Sequence, residues 1–289
     1  MSTTLPDSAA EAAPEPRFAT LRLLLRSPSF VAGALIVAWW IVCAIAGPWF
    51  APHDPYASDP LNSLLPPGPG HWCGTDEIGR DVCSRVIVGA RDILGVAPLA
   101  TVVGTLAGAA LGLVTGYFAG WAGTLVARAL DAVLALPLVI VALFVLAAVG
   151  GSTPAIVLVI GITFAPLVAR TVRAAVLTER HLDYVAAARL RGARAPYVMF
   201  AEILPNVWPP IVVEATVRLG YAIFAVATLS FLGFGIQPPS ADWGLALSES
   251  YTLLAGGAWW TVAFDAAAIA SLVVGVNLVA DSVREALAS

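Results

Sequence analysis

An all-α protein that crosses a membrane six times is the fold this sequence predicts, and three observations predict it. Apolar residues make up 59% of the 289 and charged residues only 12%, with a mean hydropathy of +0.86, whereas a water-exposed surface needs roughly a quarter to a third of its residues charged. The apolar residues gather into six runs, most of them long enough to span a bilayer. Between the fourth and fifth runs stands a polar island, residues 183–210, too charged to span and written as two short helices.

Residues 1–16, rich in Ala, Pro, Ser and Glu, show no apolar period and are expected to form a disordered cytoplasmic tail. A second segment, 17–92, holds the first span and the loop after it; a five-helix core follows over 93–289, with the polar loop 169–206 inside it. The first run, Phe30–Phe50, matches the ~20 residues that a hydrocarbon layer of ~30 Å requires. Ala44-Ile45-Ala46 could serve a signal peptidase, but the run is longer than a signal core and starts late. An uncleaved anchor is expected ahead of a cleaved signal.

The loop 51–92 is Pro-rich at first and amphipathic afterwards, with Ile78, Val82 and Val86 at four-residue steps. That second half is expected to lie on the membrane surface. Cys73 and Cys83 stand in this loop, either bridged or as two separate buried thiols. His53 and His71 look isolated, so loop polar contacts are expected of them and no metal site.

In the second run, Ile93–Phe118, glycine recurs at 104, 108, 112 and 116, and again at 120 beyond its end. Four residues advance a helix by about 400°, so these glycines line a slowly winding groove that predicts close helix packing. The third run, Leu125–Val149, contains Pro137 and Asp131, and Asp131 would sit roughly 10 Å deep. An interfacial ion pair with Arg128 is the expected arrangement, a transport role the alternative. The fourth run, Pro154–Val168, leads into Arg170 and Arg173. The fifth, Val207–Leu232, carries Glu214 and Arg218, spaced as a helical ion pair with the acid first. They read either as a sealed pair or as part of a translocation path. Asp265, in the sixth run, Trp259–Val279, has no partner within a turn and must be interfacial or faced by another helix.

Within the island, Gly192 suits a helix end and Pro196 a helix start. Arg170, Arg173, Arg180, Arg189, Arg191 and Arg194 make 169–206 the richest loop in positive charge, while 233–258 holds no Arg. The positive-inside rule therefore places the island and both termini in the cytoplasm, although Arg80, Arg85 and Arg91 pull the other way. The chain contains no phosphate loop, no H-E-x-x-H, no G-x-S-x-G and no basic tract for nucleic acid. It is expected not to be an enzyme and to bind no cofactor of its own. If it works against a gradient, the energy enters from a partner.

The island resembles the EAA loop of ABC-importer permeases, whose pattern is E-A-A, three residues, G, nine residues, I, one residue, then L-P. Ala186, Ala187, Ala188, Gly192, Leu204 and Pro205 fall at those spacings, with Tyr184 just ahead; Ala186 replaces the Glu and Glu202 stands at the Ile position. The stretch from His71 to Val82, HWCGTDEIGRDV, resembles the C-type permease subunit of dipeptide, oligopeptide and nickel importers, as do 116–121, 229–239 and 277–287. Cys73 and Cys83 occupy positions where that family has Leu, and Val226 one where an acidic residue is usual. The resemblance implies a type I permease fold and a peptide substrate, with nickel or another small solute as the alternative; the rival class, a stand-alone ion-coupled transporter, would use Asp131, Glu214 and Asp265 as a relay. It also implies a homologous second permease, two cytoplasmic ATPase subunits that hold ATP and Mg, and an extracytoplasmic solute-binding protein. Tyr184 and the six motif residues would form the ATPase-coupling loop.

Overall fold

In the computed structural model, residues 24–118 and 120–288 are described; the expected tail 1–16, Arg17 and Arg22 lie outside them. Chain order gives α1 (Pro28–Phe50), α2 (Val82–Tyr117), α3 (Trp121–Leu134), α4 (Leu138–Val149), α5 (Thr153–Glu179), α6 (Asp183–Leu190), α7 (Trp208–Phe231), α8 (Trp243–Ser250) and α9 (Trp260–Ala288). Among the described residues, α1, α2, α5, α7 and α9 are long and apolar enough to cross a membrane. A sixth crossing results if α3 and α4, bent by 87°, count as one. No strand forms among the described residues beyond two isolated bridges.

Three expected boundaries are corrected. The third run is not one straight span: Pro137 takes an extended conformation (ψ 119°) at the start of α4 and separates it from α3, and its ring nitrogen has no N–H with which to continue the α3 ladder. The stretch 82–92 is not a separate surface helix, because Asp81 caps α2 by accepting from Ser84 N–H at 2.9 Å and the helix continues unbroken for 36 residues. The fourth run likewise continues past Val168 to Glu179, carrying Arg170 and Arg173 on its last turns.

The glycine groove faces α5. A Cβ on Gly104 would meet the carbonyl oxygen of Gly161 at 2.8 Å, one on Gly108 that of Ala165 at 2.6 Å, and one on Gly112 that of Ala169 at 2.7 Å. Both partners advance four residues per step, so α2 and α5 run parallel, and the α3–α4 pair returns the chain between them. Gly120, off the helix, meets nothing within 4 Å. α1 and α9 run antiparallel: Gly33 packs on the Gly275 carbonyl, Ser29 reaches Ser282 at 3.2 Å, and Trp40 Nε1 donates to Ser271 at 2.9 Å.

These directions define two ends. The upper end gathers 51–81, the turn after α4 and 232–259; Gly151 there approaches the carbonyl of Phe234. The lower end gathers the start of α1, the end of α9, the turn after α2 and the island. One apolar core, including Ile93, Ile160, Ile223, Leu272 and Trp243, fills the bundle, and a second, including Leu113, Val172, Val176, Val185 and Ile203, sits beneath the island.

Candidate functional site

At the lower end α6 lies with one face inward. Val185 and Ala188 are fully buried against the second core, whereas Leu182, Ala186 and Leu190, spaced by four, form an exposed apolar stripe in which Leu190 is 89% exposed. Arg189, Arg191 and Arg194 stand exposed beside it. The helix closes at Gly192, whose φ of +78° suits a residue without a Cβ. Ala193 N–H donates to the Ala188 carbonyl at 3.1 Å and Gly192 N–H to that of Arg189 at 2.9 Å, the paired bonds of a Schellman ending. Ala195–Tyr197 then begins a turn of α-helix that widens into a π-helical segment, Val198–Ile203.

Polar contacts fasten this loop to the bundle. The Tyr184 hydroxyl donates to Glu179 at 2.6 Å and accepts from Asn206 at 3.2 Å, joining the loop's two ends. Burial and the hydrogen bond to Glu179 push its pKa up to about 12. Arg191 and Glu202, the residue at the motif's Ile position, approach to 3.6 Å across the turn. Arg180 donates to the carbonyls of Gly116 and Tyr117 at 3.2 Å, and the Arg189 guanidinium lies 5.0 Å from the Tyr117 ring centre. α6 is thereby tied to the ends of both α2 and α5. Ala187 and Leu204 are half-buried, and Ala186 and Pro205 are exposed.

Inside the bundle, Arg218 pairs with Glu214 at 2.7 Å, with side chains 17% and 14% exposed. Thr171 of α5 adds a hydrogen bond to the carboxylate at 3.4 Å. Asp131 is exposed and makes no ion pair with Arg128 among the described residues; the bend at Pro137 removes the straight span on which its depth was reckoned. It lines a groove of about 190 Å³ with Arg170 and Arg173. Asp265 is buried at 3% exposure near the top of α9, where Arg85 of α2 acts on it electrostatically. Asp131, Glu214 and Asp265 are not brought together.

The upper end holds an ion-pair clamp that the sequence reading missed. Arg80 bonds Asp76 at 2.5 Å and Glu249 of α8 at 2.8 Å, and buried Arg85 lies 3.9 Å from each acid. Burial opposes charge on Arg80, but Asp76 and Glu249 outweigh it and raise its pKa. The four-residue step from Asp76 to Arg80 was visible in the sequence; Glu249, 169 residues away from Arg80, carried no local signal. In the same loop Cys73 and Cys83 form a disulfide with Cα atoms 5.1 Å apart. The reading of His53 and His71 as isolated is corrected: their ring centres lie 4.7 Å apart, and their Nδ1 atoms are 3.6 and 2.9 Å from one oxygen of Asp81. Burial raises the Asp81 carboxyl, yet hydrogen bonds from Ser84 and His71 prevail and hold it below its usual range.

Comparison with known proteins bears on what this arrangement serves. Residues 108–289 match the family described as binding-protein-dependent transport system inner membrane component, and residues 19–67 match the N-terminal transmembrane domain of oligopeptide transport permease C. The probable D,D-dipeptide transport system permease protein DdpC of Escherichia coli is 38% identical over 267 residues, 92% of this chain and 89% of the relative. The di/tripeptide transport system permease protein DppC of Pseudomonas aeruginosa is 38% identical over 88% of this chain and 86% of its own length. The dipeptide transport system permease protein DppC of Alkalihalophilus pseudofirmus is 36% identical, with 89% and 84% covered.

Proposed function

The chain belongs to the family of binding-protein-dependent transport system inner membrane components, and from that membership we propose that it is one membrane subunit of an ATP-driven peptide importer. Two cytoplasmic ATPase subunits, a homologous permease and an extracytoplasmic solute-binding protein complete the assembly. The lower end faces the cytoplasm, because 169–206 holds most of the loop Arg. ATP and Mg belong to the ATPase partners, and this chain supplies the path and the lever.

The observation that carries the reading is the α6 surface. A short helix with an inward apolar face and an outward apolar stripe of Leu182, Ala186 and Leu190, flanked by Arg189, Arg191 and Arg194, suits insertion into a cleft of another protein. With Ala186 where the motif has Glu, docking relies on shape and on these Arg. Closure of the ATPase pair would push α6. Arg180 and Arg189 pass that push to the ends of α2 and α5, which move as one body because their backbones touch along the glycine seam. Alternating access then follows from rigid-body repacking around a site between subunits. The apolar cavity of about 420 Å³ between α2 and α7, lined by Val102, Leu106, Phe200, Trp208 and Ile211, offers a face on which the second permease could pack.

Reconstitution of all subunits in liposomes tests this. Ala187→Arg in the half-buried row of α6 should abolish ATP-driven peptide uptake and substrate-stimulated ATP hydrolysis while the chain still inserts. Normal uptake by that variant, or uptake by the chain alone driven by a pH gradient, would overturn the assignment.

A further inference from the structure

We propose that His53, His71 and Asp81 form a binding site for one divalent transition-metal ion of the zinc class at the upper end of the chain. Two imidazoles and a carboxylate are the donor set that zinc and its neighbours take, whereas calcium and magnesium call for oxygen. The three ligand atoms lie within 4.8 Å of one another. In a tetrahedral site with metal–ligand bonds of about 2.0–2.2 Å, ligand atoms stand roughly 3.3–3.6 Å apart. The separations from the shared Asp81 oxygen, 2.9 Å to His71 and 3.6 Å to His53, bracket that value.

The carboxylate is divided between two tasks. Its Oδ2 accepts from Ser84 N–H at 2.9 Å and from the Ser84 hydroxyl at 2.6 Å, which fixes Asp81 as the cap of α2. Its Oδ1 is left to the two rings. Ser84 also holds the third ligand in place, since His53 N–H donates to its Oγ at 2.9 Å. The disulfide reinforces the site from the other side: Cys73 and Cys83 each follow a ligand, His71 and Asp81, by two residues, so the bridge holds those two segments together. Such outer contacts orient ligands before the ion arrives.

His53, 45% exposed, leaves an approach from solvent. It borders a cavity of about 570 Å³ that Asp54, Arg91 and Asp92 also line, and water from there would take the fourth position. A bound ion joins three segments: the chain leaving α1, the turn before the disulfide and the start of α2. It thus acts as a clip on the upper loop, and it stands independently of the importer reading.

The test uses the full chain, purified in detergent without a polyhistidine tag, stripped with a chelator and titrated with zinc against a chromophoric competitor. One zinc should bind per chain, roughly tenfold or more weaker in His53→Ala and in His71→Ala, and unchanged in His181→Ala, the remaining histidine. Cobalt in place of zinc should give the intense visible absorption of a four-coordinate site. His53→Gln, which keeps a polar side chain, guards against a folding artefact, and an intact disulfide by mass confirms the loop. Zinc affinity equal in wild type and in the His53 variants, or a cobalt spectrum of six-coordinate type, would overturn the proposal.

Discussion

Replacing Gly112 by Ala inserts a single methyl group into the α2–α5 seam, and the structure sets its cost. The new Cβ would lie 2.7 Å from the Ala169 carbonyl oxygen, 2.7 Å from Val172 Cβ and 3.0 Å from Arg173 N. Two of these are backbone atoms of a packed helix and cannot turn aside, so the helices must part. Overpacking of this kind costs about 1–3 kcal/mol. Gly95, on the same helix, has nothing within 4 Å of its added Cβ, and Gly95→Ala should gain the ordinary helix advantage of about 0.5–1 kcal/mol. That same gain partly offsets the clash at Gly112, so the two variants should differ by about 1–3 kcal/mol, or roughly 2–4 °C in unfolding midpoint per kcal/mol for a chain of this size. Thermal unfolding of the purified chain in detergent, followed by monodisperse fraction on size exclusion, reads the difference. Equal midpoints for Gly112→Ala and Gly95→Ala would refute the seam as the contact that unites α2 and α5.

Other parts of the structure make their own forecasts. Glu214→Gln or Arg218→Met alone leaves an unpaired charge among the helices and should cost about 3–5 kcal/mol, while the double variant recovers most of it; additive losses in a double-mutant cycle would show that the pair is not coupled. Reduction of the Cys73–Cys83 bridge, which closes a separation of 10 residues, should lower stability by about 2–3 kcal/mol on the chain-entropy account, read as a shift in melting with dithiothreitol that Cys73→Ser/Cys83→Ser lacks. Burial raises Asp242 from 3.8 to about 6 against the opposing hydrogen bond from Leu245 N–H. The folded state there prefers the protonated acid, so its contribution is full below pH 3.8 and is lost as pH rises through about 6. That gap corresponds to roughly 3 kcal/mol, and Asp242→Asn should flatten the melting profile between those pH values; an unchanged slope would rule out Asp242 as its source.

Much of this was legible in local spacing. The glycine period, the Gly192 turn and the Glu214–Arg218 step are features of one helix or one loop, and each formed where its spacing put it. The break in the third run was not legible, because proline alone does not decide it: Pro98 and Pro166 lie inside unbroken α2 and α5. Those two helices are held along the seam, whereas α4 buries only Ala142 and Leu146 among the described residues, so packing there does not oppose the bend. The clamp of Arg80 with Glu249 and the meeting of His53 with His71 depend on tertiary folding of a loop whose Pro-rich first half offers no period. The outward stripe on α6 was hidden for a different reason: taken as a whole the island is polar, and only the burial of Val185 and Ala188 shows which residues remain outside.

The proposed docking of an ATPase partner on α6 can be tested at a single exposed residue. Leu190, 89% exposed, touches little of its own chain, so Leu190→Asp should leave folding and membrane insertion intact and remove apolar contact only from a bound partner. Co-purification of the ATPase subunits with the permease pair, measured with wild type and Leu190→Asp side by side, is the most direct test. The variant should lose the ATPase subunits while its melting temperature is unchanged. Full retention of those subunits, together with undiminished ATP-driven uptake, would contradict it.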